Sequence, residues 1–586
     1  MKHSCYVSIL FTENLVATAK GNEKPRIAVF SGPTATIQNT EPLVTSNKAR
    51  QQYGLPARTH ADGSTMRFDV LRPQRLAAPV TVYIEQFSAH PLERDFAELY
   101  APPDGYLDSS GVFHRQRTSS SDKPVYEVTL RPEDGLYPLP YMARQGNGQA
   151  WEMDGTEKNV PGELCRVPFF PDGSRLFEEI DRLGVSDDGV GSLLTAKAEF
   201  DFYRALPSGG YLKGRSAGER TDVGDGDIAP ETRGVDFFPY RPGYLRKEPP
   251  MSALARVTNI VQRALGSGEY LGGIWLEGSP FVEETTYWLN LLIDTTVPIA
   301  GNSSQRPHGA IGNDGDRNVV DSVDYITSRI WADENGKDCV GAVAILDEQI
   351  FTSRDVQKAD ARPGGYVATG GHGGIIGRMG HPGAPQLSFK PVKRHTHTSA
   401  VRLTQLPTEI QGSRVQNSKV ETIAVAIKDG DGHLVASAVP KVTIVKHARY
   451  LPEDTSGDAS SEVDILARIE KNLRDAPLAG FVAEGSAPFG AMSPAVDAAL
   501  KRATFSGMPV VKVGRGNASG FVDPTRDLLA IAGSNLTATK ARLLLMACLM
   551  KFGCLPPAAD SANPTTAETE ATKVKLKEYQ EIFDTH

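Results

Sequence analysis

The strongest constraint on how this chain folds is a pattern that occurs twice between Gly273 and Ile330. Gly273 to Leu276 is a short apolar run broken by Glu277-Gly278-Ser279-Pro280, after which Val282, Thr286, Leu289 and Ile293 recur at helical spacing. A second apolar run, Val297 to Ala300, leads into Gln305-Arg306-Pro307 and Asn313-Asp314-Gly315, and Asn318 opens another apolar-periodic helix from Val319 to Ile330. Two consecutive strand-turn-helix units predict a parallel sheet. Ligands of such sheets bind beyond the carboxyl ends of the strands, so the two polar turns are expected to share one crevice. Glu283 and Glu284 fall in the first helical turn, where carboxylates complement the positive end of the helix dipole.

The rest of the chain narrows the class of function. At 586 residues it is too long for one ordinary domain, so two or more are expected. The formal net charge of -8, with no lysine- or arginine-rich block, argues against nucleic acid and for a small-molecule substrate. Cys5, Cys165, Cys339, Cys548 and Cys554 lack the paired spacing of zinc sites or disulfide scaffolds, which points to a reducing, cytoplasmic setting. The leading MKHSCYVSILFTENLVATAKG has a thin basic flank and is interrupted by Glu13-Asn14, which reads against a secretory signal. No apolar run reaches membrane-spanning length.

Other segments extend the alternation of strand and helix. Arg26 to Phe30 is a compact strand that runs into Ser31-Gly32-Pro33-Thr34-Ala35-Thr36-Ile37, whose hydroxyls can cap backbone groups. Arg67 to Leu71, Val80 to Phe87 and Val125 to Leu130 read as strands of a small β-rich unit. Val235 to Phe238 reads as a strand entering Pro239-Tyr240-Arg241-Pro242-Gly243, with a helix from Met251 to Leu265, and Val340 to Leu346 reads as a buried strand. The final third predicts strands at Thr422 to Ile427, Val442 to Val445, Ala479 to Ala483 and Met508 to Val513, and helices near Glu462 to Leu473, Pro494 to Thr504 and Ala538 to Met550. That pattern is a second, smaller α/β domain.

Several of these segments together resemble the bacterial L-asparaginase/glutaminase family. Gly278-Ser279-Pro280-Phe281-Val282-Glu283-Glu284-Thr285 is similar to its G-T-D-T-x-E-E-T signature, with Ser279 for threonine and Pro280 for aspartate. Ser31-Gly32-Pro33-Thr34 is similar to its T-G-G-T, and Gln349 to Lys358 to its A-R-D-V-T-K segment. Ala532-Gly533-Ser534-Asn535-Leu536 with Lys540-Ala541-Arg542 resembles its later A-S-G-x-L and K-A-R. The resemblance implies two α/β domains, a large doubly wound N-terminal one (1–385) and a smaller flavodoxin-like C-terminal one (418–586), joined by a linker at 386–417. A β-rich insertion at about 40–234 interrupts the first. It also implies a homodimer or homotetramer.

The implied chemistry is amide hydrolysis through a threonine nucleophile and an acyl-enzyme. Alignment on the strand's end makes that nucleophile Thr34; alignment on the isoleucine makes it Thr36. Ser279 is the implied second hydroxyl and Lys358 the implied catalytic lysine, since a hydroxyl attacks only with a positioned base and an oxyanion hole. Gly278, Pro280, Tyr240 and Arg241 line the implied substrate site, with Tyr53 nearest to the family's mobile-loop tyrosine. Pro280 lacks the carboxylate that grips a substrate ammonium, and Pro488-Phe489-Gly490 replaces an asparagine loop, so the expected substrate is an amide other than free asparagine. The alternatives are a true asparaginase with compensating contacts and an inactive relative that serves as a binding or scaffold protein. No cofactor is expected. Gly370 to Gly377 reads as a tight turn, and His395 and His397, expected on one face of a strand, lack the third ligand a zinc site needs.

Overall fold

The computed structural model describes residues 24–32, 103–110, 112–130 and 193–204 of the first part of the chain. It adds short pieces at 43–46, 63, 68–71, 80–84, 168–169, 176–177, 180, 212–213 and 231–232. From there it covers 251–306, 312–369, 374–380, 384–417, 419–447, 457–487, 489–515, 522 and 529–586.

Among these residues nine strands form one sheet. Their spatial order is Leu212–Lys213, Glu199–Arg204, Arg26–Ser31, Gly272–Leu276, Ile299–Asn302, Val343–Leu346, Gln349–Thr352, Ile375–Met379, Pro385–Leu387. The five from Glu199–Arg204 to Val343–Leu346 are parallel, and antiparallel strands flank them on both sides. Successive strand residues point to opposite faces. Ile27, Val29, Ile274, Leu276, Val343 and Ile345 therefore pack with Val319, Val323 and Ile326 of the helix Gly315–Ser328 on one face. Ala28, Phe30, Trp275, Ile299 and Ala344 pack with Val257, Val261 and Leu265 of the helix Ala253–Gly266 and with Val282 and Leu289 of the helix Val282–Leu292 on the other. The sheet is covered on both sides, so its strands read as continuous apolar runs, as parallel strands do.

The strand order also fixes where a ligand can enter. Among the strands of this sheet, the next in chain order after Arg26–Ser31 is Glu199–Arg204, which joins on one side, whereas Gly272–Leu276 is followed by Ile299–Asn302 on the other. Connections that leave two adjacent strands in opposite directions open a crevice at their carboxyl ends. That crevice lies just past Ser31 and Leu276.

A second sheet holds four parallel strands in chain order: Lys441–Lys446, Ala479–Gly485, Val510–Gly514 and Ile531–Ala532. Helices Val463–Asp475 and Pro494–Phe505 cover one face through Ile465, Ile469, Leu500 and Ala503. The helix Ala538–Phe552 covers the other, in a core that it shares with Tyr287, Trp288, Leu291 and Leu292 of the first unit. Each large side chain so buried contributes roughly 1.5–3 kcal/mol, which ties the two sheets together through the helix Val282–Leu292.

The α/β class matches the sequence reading, and five details differ. Glu199–Arg204 lies within the expected insertion, yet it pairs with Arg26–Ser31 along its whole length because Phe200 and Phe202 supply the apolar face that edge needs. The helix expected from Val319 begins at Gly315, after Asp314. Ile375, Ile376 and Gly377, read as part of a tight turn, are strand residues paired with Gln349–Thr352. The expected linker ends in a strand, Glu409–Gln416, in hairpin with Lys419–Ala426. His395 and His397 do not share a strand face: Thr396, at φ 38°, starts a 3-10 turn that sets the two rings at 83° to each other.

Candidate active site

The turn that carries Ser279 is built by the elements on either side of it. Leu276 ends a fully buried strand, and by Val282 the chain is a helix in which Glu283 and Glu284 fill the first turn. These acids do more than complement the dipole. The Glu283 carboxylate accepts the Lys358 backbone N–H at 2.5 Å, and the Glu284 carboxylate pairs with Arg542 at 2.5 Å. Lys540, 2% exposed, donates from Nζ to the Glu283 carbonyl and to the Ser353 carbonyl. Burial pushes the Lys540 ammonium down to about 8 and pushes the Glu283 carboxyl up, each partly offset by the other's charge.

Ser279 itself is half-buried and held from two sides. Its Oγ lies 2.6 Å from the Tyr366 hydroxyl and accepts a hydrogen bond from Gln305 Nε2 at 3.0 Å. Tyr366 is buried, reaches Ser303 Oγ at 3.2 Å, and is kept in the neutral phenol form by desolvation. Ser303 and Gln305 belong to the turn after Ile299–Asn302. There Asn318 Nδ2 donates to the Ser303 carbonyl at 2.9 Å, and the Asp314 carboxylate accepts the backbone N–H groups of Gln305 and Arg306 at 3.0 and 3.1 Å. The two polar turns do meet.

Lys358 arrives by a different route. It ends the strand Val356–Lys358 and stands opposite Tyr366, which opens the strand Tyr366–Ala368. Side chains of directly opposed antiparallel residues lie on the same face, so Lys358 shares the face from which Tyr366 reaches Ser279. Its Nζ has no hydrogen-bond or ion-pair partner among the described residues.

The other half of the crevice begins at Ser31. The Gly32 N–H donates to the Leu276 carbonyl at 2.8 Å, which extends the pairing of the two strands one residue past Ser31. Glu277, 5% exposed, accepts from Trp275 Nε1 at 2.9 Å and lies directly against Gly32: a Cβ on that glycine would stand 2.6 Å from Glu277 Oε2. Thr34, Thr36, Tyr53, Tyr240 and Arg241 lie outside the described residues. Gly278 is half-buried and Pro280 exposed beside Ser279.

Sequence reasoning missed Tyr366, Glu277 and the role of Gln305. Tyr366 had a usable signal, since Ala361-Arg362-Pro363-Gly364-Gly365 is a turn sequence that folds the next residues back onto Val356–Lys358. Among the described residues one group, Asp429, Asp431 and His433, has three possible metal ligands together. It forms an exposed turn in which Asp429 Oδ1 already accepts the backbone N–H of Asp431 and His433.

The asparaginase N-terminal domain model matches residues 250–374 of this chain. A glutaminase-asparaginase of Acinetobacter glutaminasificans is 26% identical over 157 residues, which are 27% of this chain and 43% of that protein. An L-asparaginase of Bacillus licheniformis is 31% identical over 108 residues, 18% of this chain and 32% of its own length. The chain thus spans less than half of either relative. A solved structure, a probable cytoplasmic L-asparaginase from Campylobacter jejuni, is similar at 21% identity and a TM-score of 0.40, across 57% of this chain and 81% of that one.

Proposed function

We propose, from the premise that the chain belongs to the asparaginase family through the domain at residues 250–374, that the protein is an amidohydrolase cleaving a carboxamide other than free asparagine. Thr34 attacks the amide carbonyl, the amine departs, and water hydrolyses the threonine ester. Ser279 and Lys358 assist from the neighbouring turn and hairpin. The observation that supports this reading is the register of Ser31 with Leu276 at the switch point of the sheet, where the Gly32 N–H meets the Leu276 carbonyl just ahead of the turn holding Ser279. Positioning of this kind supplies most of what an acyl transfer needs.

Specificity follows from Pro280. A carboxylate at that position would bind a substrate ammonium, and proline supplies none. The substrate is therefore an amide without an α-amino acid headgroup, with Tyr240 and Arg241 as its contacts. A second reading, a true asparaginase with compensating contacts, draws support from Glu277, a buried carboxylate that lies against Gly32. Ammonia release from a panel of cyclic, aromatic and aliphatic amides, run beside asparagine and glutamine, separates the two. Turnover of headgroup-free amides with little on asparagine supports the first, and low-KM asparagine turnover supports the second. The working form is a homodimer or homotetramer, which light scattering in solution tests.

Among the described residues no helix is long and apolar enough to cross a membrane.

A further inference from the structure

The hydrogen bonds around Ser279 assign it a role different from that of a nucleophile. Gln305 Nε2, at 3.0 Å, is an amide nitrogen and can only donate. The Tyr366 hydroxyl, at 2.6 Å, could give or receive a proton. Either oxygen could donate in this contact; we assign the proton to the tyrosine, since a phenol titrates at about 10, far below an aliphatic alcohol, and Ser303 Oγ, 3.2 Å from the same phenol oxygen, can supply the bond that oxygen accepts. Burial pushes the Tyr366 phenol higher still, which keeps that proton in place across the physiological range. A hydroxyl oxygen has two acceptor lone pairs. Both are then filled on Ser279, and its single hydrogen is left to neither partner.

We propose that Tyr366 is a positioning residue that, with Gln305, occupies both acceptor sites of Ser279 Oγ, so that Ser279 acts as a hydrogen-bond donor to the amide carbonyl oxygen and not as a nucleophile. The assignment rests on the amidohydrolase reading of the same site. Its chemistry follows from polarisation: two bonds donated into an oxygen draw density from it, which weakens it as a nucleophile and strengthens its own O–H as a donor. A donor fixed where charge builds on the carbonyl oxygen is what acyl transfer requires. The supports are rigid. Tyr366 sits in a hairpin opposite Lys358, and Gln305 is held by the Asp314 carboxylate through its backbone N–H.

The test exposes the wild type, Tyr366→Phe, Gln305→Leu and Ser279→Ala to a fluorophosphonate reagent. The adduct is mapped by peptide mass spectrometry, and kcat and KM are measured separately on the amide the panel identifies. The expected wild type labels Ser279 only slowly. In Tyr366→Phe a lone pair is released, so Ser279 labels at least about tenfold faster, while kcat falls roughly 10- to 100-fold and KM changes little. A merely structural tyrosine would move the melting temperature and KM instead. Gln305→Leu frees the other lone pair and keeps the test open should Tyr366→Phe fold poorly. Ready labelling of wild-type Ser279 that slows in Tyr366→Phe would overturn the assignment, because the tyrosine would then be activating a nucleophile. So would labelling and kcat that both ignore the substitutions. If no amide in the panel is cleaved, the amidohydrolase reading fails by itself, and the labelling still decides whether Ser279 is a filled acceptor.

Discussion

Ser31 and Leu276 stand side by side as the last paired residues of two adjacent parallel strands, one of which has Glu199–Arg204 and the other Ile299–Asn302 as its outer neighbour. The pairing is closed by the Gly32 N–H on the Leu276 carbonyl, and there is no room for a side chain at Gly32, where a Cβ would meet Glu277 Oε2 and Trp275 Cζ2 at 2.6 Å each. Trp275 is fully buried and cannot yield easily. Gly32→Ala is expected to push the backbone at Gly32 away from Glu277 and Trp275, lowering amide turnover at least about tenfold for a stability loss of about 1–3 kcal/mol. Parallel kinetics and urea denaturation check this.

Glu277 discriminates between the two substrate readings. Glu277→Gln keeps an acceptor for Trp275 Nε1 but removes the negative charge. If headgroup-free amides are the substrates, their turnover should stay within about threefold, whereas any cleavage of asparagine, whose ammonium needs a carboxylate, should fall by at least about tenfold.

Lys540 tests whether the second unit holds the first in place. Its ammonium is spent on the Glu283 and Ser353 carbonyls, at the head of the helix behind Ser279 and in the segment before Lys358. Lys540→Met keeps the stem and strands both carbonyls, at a cost of roughly 2–4 kcal/mol in denaturant unfolding. The wild-type group has its native pKa lowered to about 8 from 10.5. The native state therefore binds fewer protons than the unfolded one in that window, and wild-type stability relative to the methionine variant should rise from pH 8 to 10.

Asp321 gives the opposite sign. It is fully buried; Oδ2 lacks a partner, and Arg317 Nε approaches Oδ1 to 2.7 Å without hydrogen-bond alignment. Burial pushes this carboxyl up to about 7 from 3.8. Protonated Asp321 is the form the fold prefers, so its contribution is fully present below pH 4 and lost as pH rises through 7. Asp321→Asn should melt at a higher temperature than the wild type at pH 8, with the gap closing at pH 4 to 5.

Much of this organisation was legible in the sequence because it rests on local patterns. The apolar run Gly273–Leu276 followed by helical spacing from Val282 marks both the strand and the turn, since buried parallel strands and amphipathic helices carry different periods. Glu199–Arg204 was not legible as part of the main sheet, although Phe200 and Phe202 alternate, because which edge a strand joins depends on partners far away in sequence. Gln305 and Tyr366 escaped for a related reason. Their importance lies in a meeting of three loops around one serine oxygen, which depends on contacts between segments far apart in the chain. His395 and His397 were misplaced because a single positive φ at Thr396 converts the expected strand into a turn.

The central claim is that the hydroxyl on the first turn becomes acylated. It is tested most directly by rapidly quenching the protein with a cleaved amide and mapping the added acyl mass by peptide mass spectrometry. The expected result is an acyl group on the peptide containing Thr34, absent from Thr34→Ala and undiminished in occupancy when deacylation is slowed. An adduct on Ser279, or full turnover by Thr34→Ala, would contradict it.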